Sequence, residues 1–203
     1  MLDFEFEKSF KTDEIKLVCG VDEAGRGPLM GPVVAAACIL PDGIVIEGLN
    51  DSKKLSEKKR EMLYDIIIEK AISYCVASAS VEEIEEINIL NAAMLAMKRA
   101  IEGLSVKADF ALIDGNCSRG FTLPTKTVVG GDAKAPSIAA ASILAKVTRD
   151  RLCYEYDKEY PEYGFGKHKG YGTKVHIEAI KKYGPCPVHR PSFLKFLNKD
   201  ENI

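Results

Sequence analysis

No stretch of this sequence approaches the roughly 20 consecutive apolar residues that a membrane helix needs. The first residues also lack the basic segment followed by an apolar one that marks a signal peptide. These two absences predict a cytoplasmic protein without a membrane anchor. No internal repeat, low-complexity tract or long linker is present, so we expect the 203 residues to form one compact unit.

The six cysteines occur singly, and no CxxC pair is present. Isolated cysteines argue against a structural zinc site and against a redox dithiol. We therefore expect reduced thiols, most of them buried. Histidine is scarce, and roles at the surface or in helix packing are favoured over phosphate contact for all three (His168, His176 and His189).

The net charge of −2 conceals an uneven distribution along the chain. Residues 1–48 contain four Lys or Arg and nine Asp or Glu, whereas residues 167–203 contain eight and three. A basic C-terminal end beside an acidic N-terminal one is typical of a protein that binds phosphates in one place and metal ions in another. The alternative is an ordinary solvated basic face.

Apolar runs and helical spacing predict an α/β protein with a mixed sheet covered by helices. Strands are predicted at 17–21, 33–40, 44–46, 74–79, 110–113 and 125–129, so that the first fifty residues would form an antiparallel meander. Helices are predicted at 56–72, 80–101, from 136 toward 154, 174–183 and 192–197. Ser80 and Glu83 have the spacing of a capping box at the start of the second helix.

Acidic residues follow the predicted buried strands. Asp22 and Glu23 come after the first strand and Asp114 closes another, while Asp132 lies between two glycines and the helix that starts at Pro136. The ends of strands in such sheets are where ligand sites occur. Clustered carboxylates repel one another unless cations neutralise them, and oxygen ligands of this kind suit Mg²⁺ or Mn²⁺. Each acid alone could equally be a helix cap or a turn residue.

A glycine-rich stretch follows the first acidic pair directly. Gly25 and Gly27 allow close approach of the backbone to a ligand, and Arg26 between them can donate hydrogen bonds to phosphate or ribose. A dinucleotide-binding fingerprint is the rival interpretation. It is rejected because the third glycine is Gly31 rather than residue 30, and because no helix pattern follows.

Five motifs occur in a fixed order along the chain: VDEAGRGPLMGPVV, DSKKLS, LIDGN, GGDAKAPSIAAASILAKVTRD and HKGYGT. Together they closely resemble ribonuclease HII, the type 2 ribonuclease H family, from about residue 17 to about residue 196. No expected catalytic position departs from the family pattern. The resemblance implies a ribonuclease H-like fold over 1–203, a single ribonuclease H type-2 domain in which about 160–203 form a basic helical extension.

The resemblance also implies how the acidic residues act. Asp22, Glu23, Asp114 and Asp132 would be the metal-binding acidic quartet of an endonuclease that cuts the RNA strand of RNA/DNA hybrids. Two Mg²⁺ or Mn²⁺ ions about 4 Å apart can activate a water and stabilise the leaving 3′ oxygen during in-line displacement at phosphorus. The products would carry a 5′ phosphate and a 3′ hydroxyl.

Further residues are assigned to substrate binding by the same resemblance. The stretch formed by Gly25, Arg26 and Gly27 would contact the 2′ hydroxyl at an RNA-to-DNA junction, the group that distinguishes RNA from DNA. Tyr171 matches the tyrosine that packs against the neighbouring deoxyribose. The expected partner is therefore an RNA/DNA hybrid, or duplex DNA containing a single ribonucleotide.

Charged residues outside the quartet receive weaker assignments. Lys53 and Lys54, with the basic tail, are candidates for contacts to backbone phosphates, although they could equally be ordinary surface lysines. Arg149 and Asp150 are expected either to pair with each other or to brace the site. No segment suggests oligomerisation, so a monomer is predicted.

Two other functions fit part of the pattern. A junction resolvase or a proofreading exonuclease also uses clustered acids and two metals, but neither needs to read a 2′ hydroxyl with a GRG stretch and a GYG tyrosine. A hybrid-binding protein without catalysis would not need four acids, because carboxylates repel phosphate when no metal is bound.

Overall fold

The computed structural model describes Leu2, residues 4–195 and Leu197. Five strands form one mixed sheet in the order β3-β2-β1-β4-β5. Their bounds are β1 Val18–Ala24, β2 Val33–Ile39, β3 Ser73–Ala79, β4 Phe110–Asp114 and β5 Thr125–Val128. β1, β2 and β3 pair antiparallel, whereas β1, β4 and β5 pair parallel. The predicted mixed sheet is confirmed.

Six α-helices accompany the sheet in the described part of the chain. They are α1 Glu5–Lys8, α2 Glu57–Lys70, α3 Val81–Glu102, α4 Pro136–Glu159, α5 Phe165–His168 and α6 Lys174–Tyr183. The predicted capping box is present at α3, where Ser80 and Glu83 bond each other's backbone. None of these helices is long and apolar enough to cross a membrane.

Helices cover both faces of the sheet because side chains along β2 alternate between them. Ala35, Ala37 and Ile39 pack with α3 on one face, while Ala36 and Cys38 pack with α2 and α4 on the other. Helix α4 approaches β1 so closely that a side chain at Gly20 would overlap the backbone of Ile138. The small residues at the start of α4 permit this approach.

Two predicted elements are wrong. Residues 44–46 form no strand, because β2 pairs with β3 at one edge and with β1 at the other, and the far edge of β1 pairs with β4. The first fifty residues therefore form a hairpin rather than a meander. The expected helix over 192–197 is only a 3-10 turn at Pro191–Phe193. Phe196, within that prediction, lies outside the described residues, as do residues 198–203 of the predicted extension.

All six cysteines are free thiols, as predicted, but only half of them, rather than most, are buried: Cys19, Cys38 and Cys153. Burial raises the pKa of Cys19 to about 12. A thiol with so high a pKa stays protonated and unreactive at neutral pH.

Candidate active site

The predicted acidic residues lie at the ends of two neighbouring central strands. Asp22 and Glu23 belong to the last part of β1 itself, rather than following it as the sequence suggested. Strand β4 runs parallel to β1 with Val21 opposite Ile113, so Asp22 and Asp114 come next in register. The carboxyl ends of parallel strands meet at one edge of a sheet, which brings these acids together.

The fourth acid reaches the same edge through a glycine turn. Gly130 has a left-handed backbone, and Asp132 lies in the 3-10 turn Gly131–Ala133 that follows. The Gly131 amide donates a hydrogen bond of 2.7 Å to Oδ1 of Asp114. A Cβ at residue 131 would sit 2.5 Å from Cδ1 of Ile138, so any residue larger than glycine would require the Ile138 side chain to move. The backbone therefore holds Asp132 beside Asp114.

The acids repel one another in this arrangement. Burial, then the neighbouring charges of Glu23 and Asp114, raise the pKa of Asp22 well above its ordinary value. Burial also raises the pKa of Glu23, although a hydrogen bond from Arg26 acts against it. The pKa of Asp132 rises for the same first reason, burial. The site thus concentrates more negative charge than its own cations neutralise.

This donor set suits hard divalent cations. It consists of carboxylates alone, with no histidine or cysteine in the cluster, which favours Mg²⁺ or Mn²⁺ over zinc. As the side chains stand, no group of three or more His, Cys, Asp or Glu among the described residues is arranged to hold an ion. The fit of the residues to divalent metal therefore rests on their chemistry and on the excess of negative charge at this edge.

A cavity of about 200 Å³ opens beside Asp22 and Glu23. The side chains and backbone around it are those of Asp22, Glu23, Ala24, Gly25, Arg26, Gly27, Ser52, Lys53, Ser142, Lys146, Arg149 and Tyr171. The GRG stretch and the tyrosine predicted to bind substrate thus share one cavity with the first two acids. A larger cavity of about 570 Å³ near the C-terminal end has no acidic residue among its described lining.

Within this cavity, the GRG stretch and Tyr171 face each other. A Cβ at Gly27 would lie 3.5 Å from Cε1 of Tyr171, an ordinary contact distance, and Tyr171 is 49% exposed. Gly25 has φ of +100°, and a side chain there would overlap Arg149. Arg26 donates to Oε1 of Glu23 at 3.1 Å. Gly25 is therefore required by the protein's own packing, whereas a Cβ at Gly27 would meet only the Tyr171 ring, at an ordinary contact distance.

The two adjacent lysines occupy different positions. Lys53 lines the cavity, and although partial burial lowers its pKa, the carboxylates of Asp22 and Asp132 outweigh this and raise it. Lys54 is outside the cavity with its side chain 63% exposed. Asp51 accepts a hydrogen bond of 2.8 Å from the Lys53 amide, which fixes the turn that carries both lysines.

Arg149 and Asp150 do not pair with each other. Asp150 bonds Nζ of Lys146 at 2.6 Å, whereas Arg149 donates to the carbonyl oxygens of Met30 and Lys169. Arg149 thereby connects the segment after the GRG stretch to the segment before Tyr171. The expectation that Arg149 braces the site agrees with its position, and the expected mutual pair is wrong.

The three histidines pack among aromatic side chains rather than facing the cavity. His168 and His176 stack with ring centroids 4.4 Å apart, and Nε2 of His176 lies 3.1 Å from Nε2 of His189. The His176 ring also bonds the carbonyl oxygen of Tyr171 at 2.9 Å. Their packing role agrees with the sequence-based expectation.

Sequence reasoning missed several residues of the site. Ser142 bonds Asp22 and lies 2.7 Å from the hydroxyl of Ser52, so two serines support the first acid. Asp51 lies near Asp132, and after burial its carboxylate is the next cause that raises the pKa of Asp132. The only available signal was membership of the motifs DSKKLS and SIAAAS, because nothing local shows that residues 52 and 142 meet.

Comparison with known proteins agrees with this geometry. The family model described as Ribonuclease HII matches residues 19–196. A ribonuclease HII from Burkholderia lata is 58% identical over 190 residues, covering 94% of this chain and 86% of that protein. A ribonuclease HII from Burkholderia thailandensis is 60% identical over 178 residues, covering 88% and 83%.

Solved structures give the same fold. The crystal structure of ribonuclease H2 from Pyrococcus horikoshii superposes with a TM-score of 0.75 at 28% identity, covering 93% of this chain and all of that one. Ribonuclease HII from Archaeoglobus fulgidus, solved in a complex with PCNA, gives 0.73 at 26% identity, covering 87% and 94%. The sheet and its helices thus have the ribonuclease H-like architecture.

Proposed function

Because the chain belongs to the ribonuclease HII family, endonucleases that hydrolyse the RNA strand of RNA/DNA hybrids, we propose that it also cuts duplex DNA at a single embedded ribonucleotide. Membership of this family sets aside the resolvase, the exonuclease and the non-catalytic binding protein. The monomeric state and the cytoplasmic location stay predictions from the sequence.

The acidic quartet is the proposed catalytic centre. Asp22, Glu23, Asp114 and Asp132 would hold two divalent ions, Mg²⁺ or Mn²⁺, at the edge where β1 and β4 end. When bound, such ions supply a nucleophilic water at neutral pH and stabilise charge on the leaving 3′ oxygen. The Ser142 hydroxyl orients Asp22, and the Gly131 amide orients Asp114. Hydrolysis with this polarity leaves a 5′ phosphate and a 3′ hydroxyl.

Substrate binding is assigned to the other residues of the cavity. The backbone of Gly25, Arg26 and Gly27 would hold the 2′ hydroxyl, and Tyr171 would pack against the adjacent deoxyribose. Lys53, drawn toward the acids, would contact the phosphate backbone near the cut, with Lys54 contacting phosphates farther out.

One observation carries this proposal. The GRG stretch continues directly from β1, whose last residues include Asp22 and Glu23, and Tyr171 faces it across the same cavity. A ribose bound by that backbone is therefore held next to the phosphate at which the water activated by metal ions on these acids would attack. The residues that would recognise the 2′ hydroxyl directly follow the acids in the chain, so binding of one ribose would place its neighbouring phosphate at the acids. This arrangement favours a cut beside even a single ribonucleotide.

The test is cleavage of three labelled duplexes with Mg²⁺ and with Mn²⁺: an RNA/DNA hybrid, a DNA duplex with one ribonucleotide, and the same duplex without it. We expect the first two to be cut, with the single ribonucleotide defining one cut on its 5′ side, and the third to stay intact. An uncut single-ribonucleotide duplex beside a cut hybrid would refute the proposal while leaving the hybrid activity in place.

Gly27→Ala serves as the matched variant in this test. Its Cβ has space within the protein and its φ is not left-handed, so the fold should be unchanged. A methyl group facing the cavity would hinder the approach of ribose. We expect lower catalytic efficiency on both cut substrates with an unaltered melting temperature, and wild-type efficiency would argue against ribose binding at this backbone.

A further inference from the structure

Arg190 is fully buried and bonds only main-chain oxygens. Its guanidinium donates to the carbonyls of Gly25 at 2.7 Å, Arg26 at 3.1 Å, Pro28 at 2.8 Å and Gly31 at 2.8 Å. Among the described residues no carboxylate forms an ion pair with it. A charge buried without a carboxylate is costly unless its donors are satisfied, and the carbonyl oxygens of this loop satisfy four of the five N–H groups of Arg190.

The position of these carbonyls fixes where the neighbouring amides point. In a trans peptide the N–H of the next residue points opposite to the carbonyl. Because the four carbonyls point inward to Arg190, the nitrogens of the residues that follow them point outward: Arg26, Gly27, Leu29 and Pro32. Proline has no N–H, and the Leu29 amide bonds the carbonyl of Gly170 at 2.8 Å.

The two remaining outward-pointing amides are those of Arg26 and Gly27. Neither has an acceptor within the described part of the chain. Both belong to the stretch that lines the cavity beside Asp22 and Glu23. Exposed N–H groups in adjacent residues are suitable donors to a hydroxyl or phosphate oxygen.

We propose that Arg190 is a positioning residue, which holds the GRG carbonyls inward and so presents the amides of Arg26 and Gly27 to the ribose and phosphate of the substrate. This inference rests on the proposed function, because that function assigns the two amides to the ribose and phosphate of the substrate. The role of Arg190 in orienting the loop does not depend on that function, because it follows from the four hydrogen bonds of its guanidinium.

The segment that carries Arg190 is itself fixed against the loop. The Arg190 amide donates to the carbonyl of Leu29 at 2.9 Å, and the Gly31 amide donates to the carbonyl of Val188 at 2.8 Å. Burial, then the nearby Arg149, lower the pKa of Arg190 to about 9, which leaves the guanidinium charged at pH 7. The planar fork of donors suits four separate oxygens, and a lysine ammonium cannot reproduce it.

The experiment compares wild type with Arg190→Lys by two measurements. Amide resonances of ¹⁵N-glycine-labelled protein report the loop directly. Steady-state cleavage of the single-ribonucleotide duplex reports its consequence. We expect the signals of Gly25 and Gly27 to shift while that of Gly43, in a remote turn, stays in place. We also expect KM to rise about tenfold, with kcat changed less.

Leu63→Ala is the control for a general loss of stability. Leu63 is fully buried in helix α2, and its truncation lowers stability without touching the loop. Its KM and its Gly27 signal should match wild type at a temperature where all variants are folded. Unmoved glycine signals in Arg190→Lys, or an equal rise of KM in Leu63→Ala, would overturn the proposal.

The two measurements separate this inference from the proposed function. If wild type fails to cut the single-ribonucleotide duplex, the function is refuted, and the glycine signals still decide whether Arg190 orients the loop. Shifted signals with an unchanged KM on a duplex that wild type does cut would refute the link between loop orientation and ribose binding.

Discussion

At the level of single residues, the negative charges proposed for catalysis are not needed for the stability of the fold. Asp22 is 5% exposed, and burial with repulsion from its neighbours raises its pKa, so its negative charge does not stabilise the fold. Asp114, in contrast, accepts a backbone hydrogen bond from Gly131, which an amide oxygen can also accept. Neutral substitutions at these positions should therefore preserve structure.

We predict that Asp22→Asn and Asp114→Asn each abolish cleavage and leave the melting temperature unchanged or slightly higher. Each substitution removes a metal-ligating charge but little volume, and at residue 22 it also relieves repulsion. Activity with Mg²⁺ and thermal melting are measured together, with Asp65→Asn on the exposed face of α2 as the control. Turnover above a small fraction of wild type in either variant would contradict the assignment.

Tyr171 permits an equally local prediction, because its ring is half exposed and faces Gly27. Tyr171→Ala should lower catalytic efficiency on a single-ribonucleotide duplex by the equivalent of about 1 to 3 kcal/mol, the value of an aromatic contact in nucleic-acid sites. Tyr171→Phe keeps the ring and should stay near wild type. Junction reading by this ring is wrong if the alanine variant cuts that duplex normally.

At the level of helices and strands, α6 combines two roles. Its inner face holds His176, Ala179 and Ile180 in the core, while Lys174 and Lys182 are exposed on the outer side. From the sequence, the basic tail was a candidate for contacts to backbone phosphates. The buried residues of α6, and Arg190 after it, mean that removing the tail would also disturb the GRG loop.

Point substitution of the exposed lysines tests affinity without that disturbance. Lys174→Gln combined with Lys182→Gln should weaken hybrid binding and reduce the salt slope by up to about 2, since removing one lysine that neutralises a phosphate lowers the slope by about 1. Binding is measured over a series of salt concentrations, and the double variant should melt as wild type does. An unchanged slope would show that these lysines are an ordinary solvated face.

For the molecule as a whole, the buried histidine cluster makes stability depend on pH. Burial lowers the pKa of His176 to about 4, and His189 is shifted in the same direction. A histidine that stays neutral in the fold contributes stability above its unfolded pKa of about 6.5. Below that value the unfolded chain binds the proton more readily, so stability falls as the pH falls toward 4.

We therefore predict that the lowered pKa of His176 alone reduces the free energy of unfolding by about 2 kcal/mol when the pH falls from 7.5 to 5. Denaturant unfolding at both pH values is compared between wild type and His176→Gln, which keeps a side chain that can hydrogen-bond but cannot titrate. The variant should lose less stability over this range, whatever its absolute stability. Equal losses in the two proteins would exclude His176 as the source.

Features that depend on neighbouring residues could be predicted from the amino-acid sequence alone. Helix α6 begins and ends at Lys174 and Tyr183 as predicted, and the capping box at Ser80 starts α3. Caps and helical periodicity involve residues only a few positions apart, so the sequence is enough to recognise them. The five family motifs likewise indicated the type of enzyme.

Features that join residues far apart in the chain required the folded molecule. The apolar run 44–46 formed no strand beside β2, because both edges of β2 are paired, with β1 and β3. Ser52 meets Ser142, and Arg190 holds the carbonyls of a loop more than 150 positions earlier. No local propensity encodes such contacts, because they form only when the sheet, α4 and the C-terminal segment have packed together.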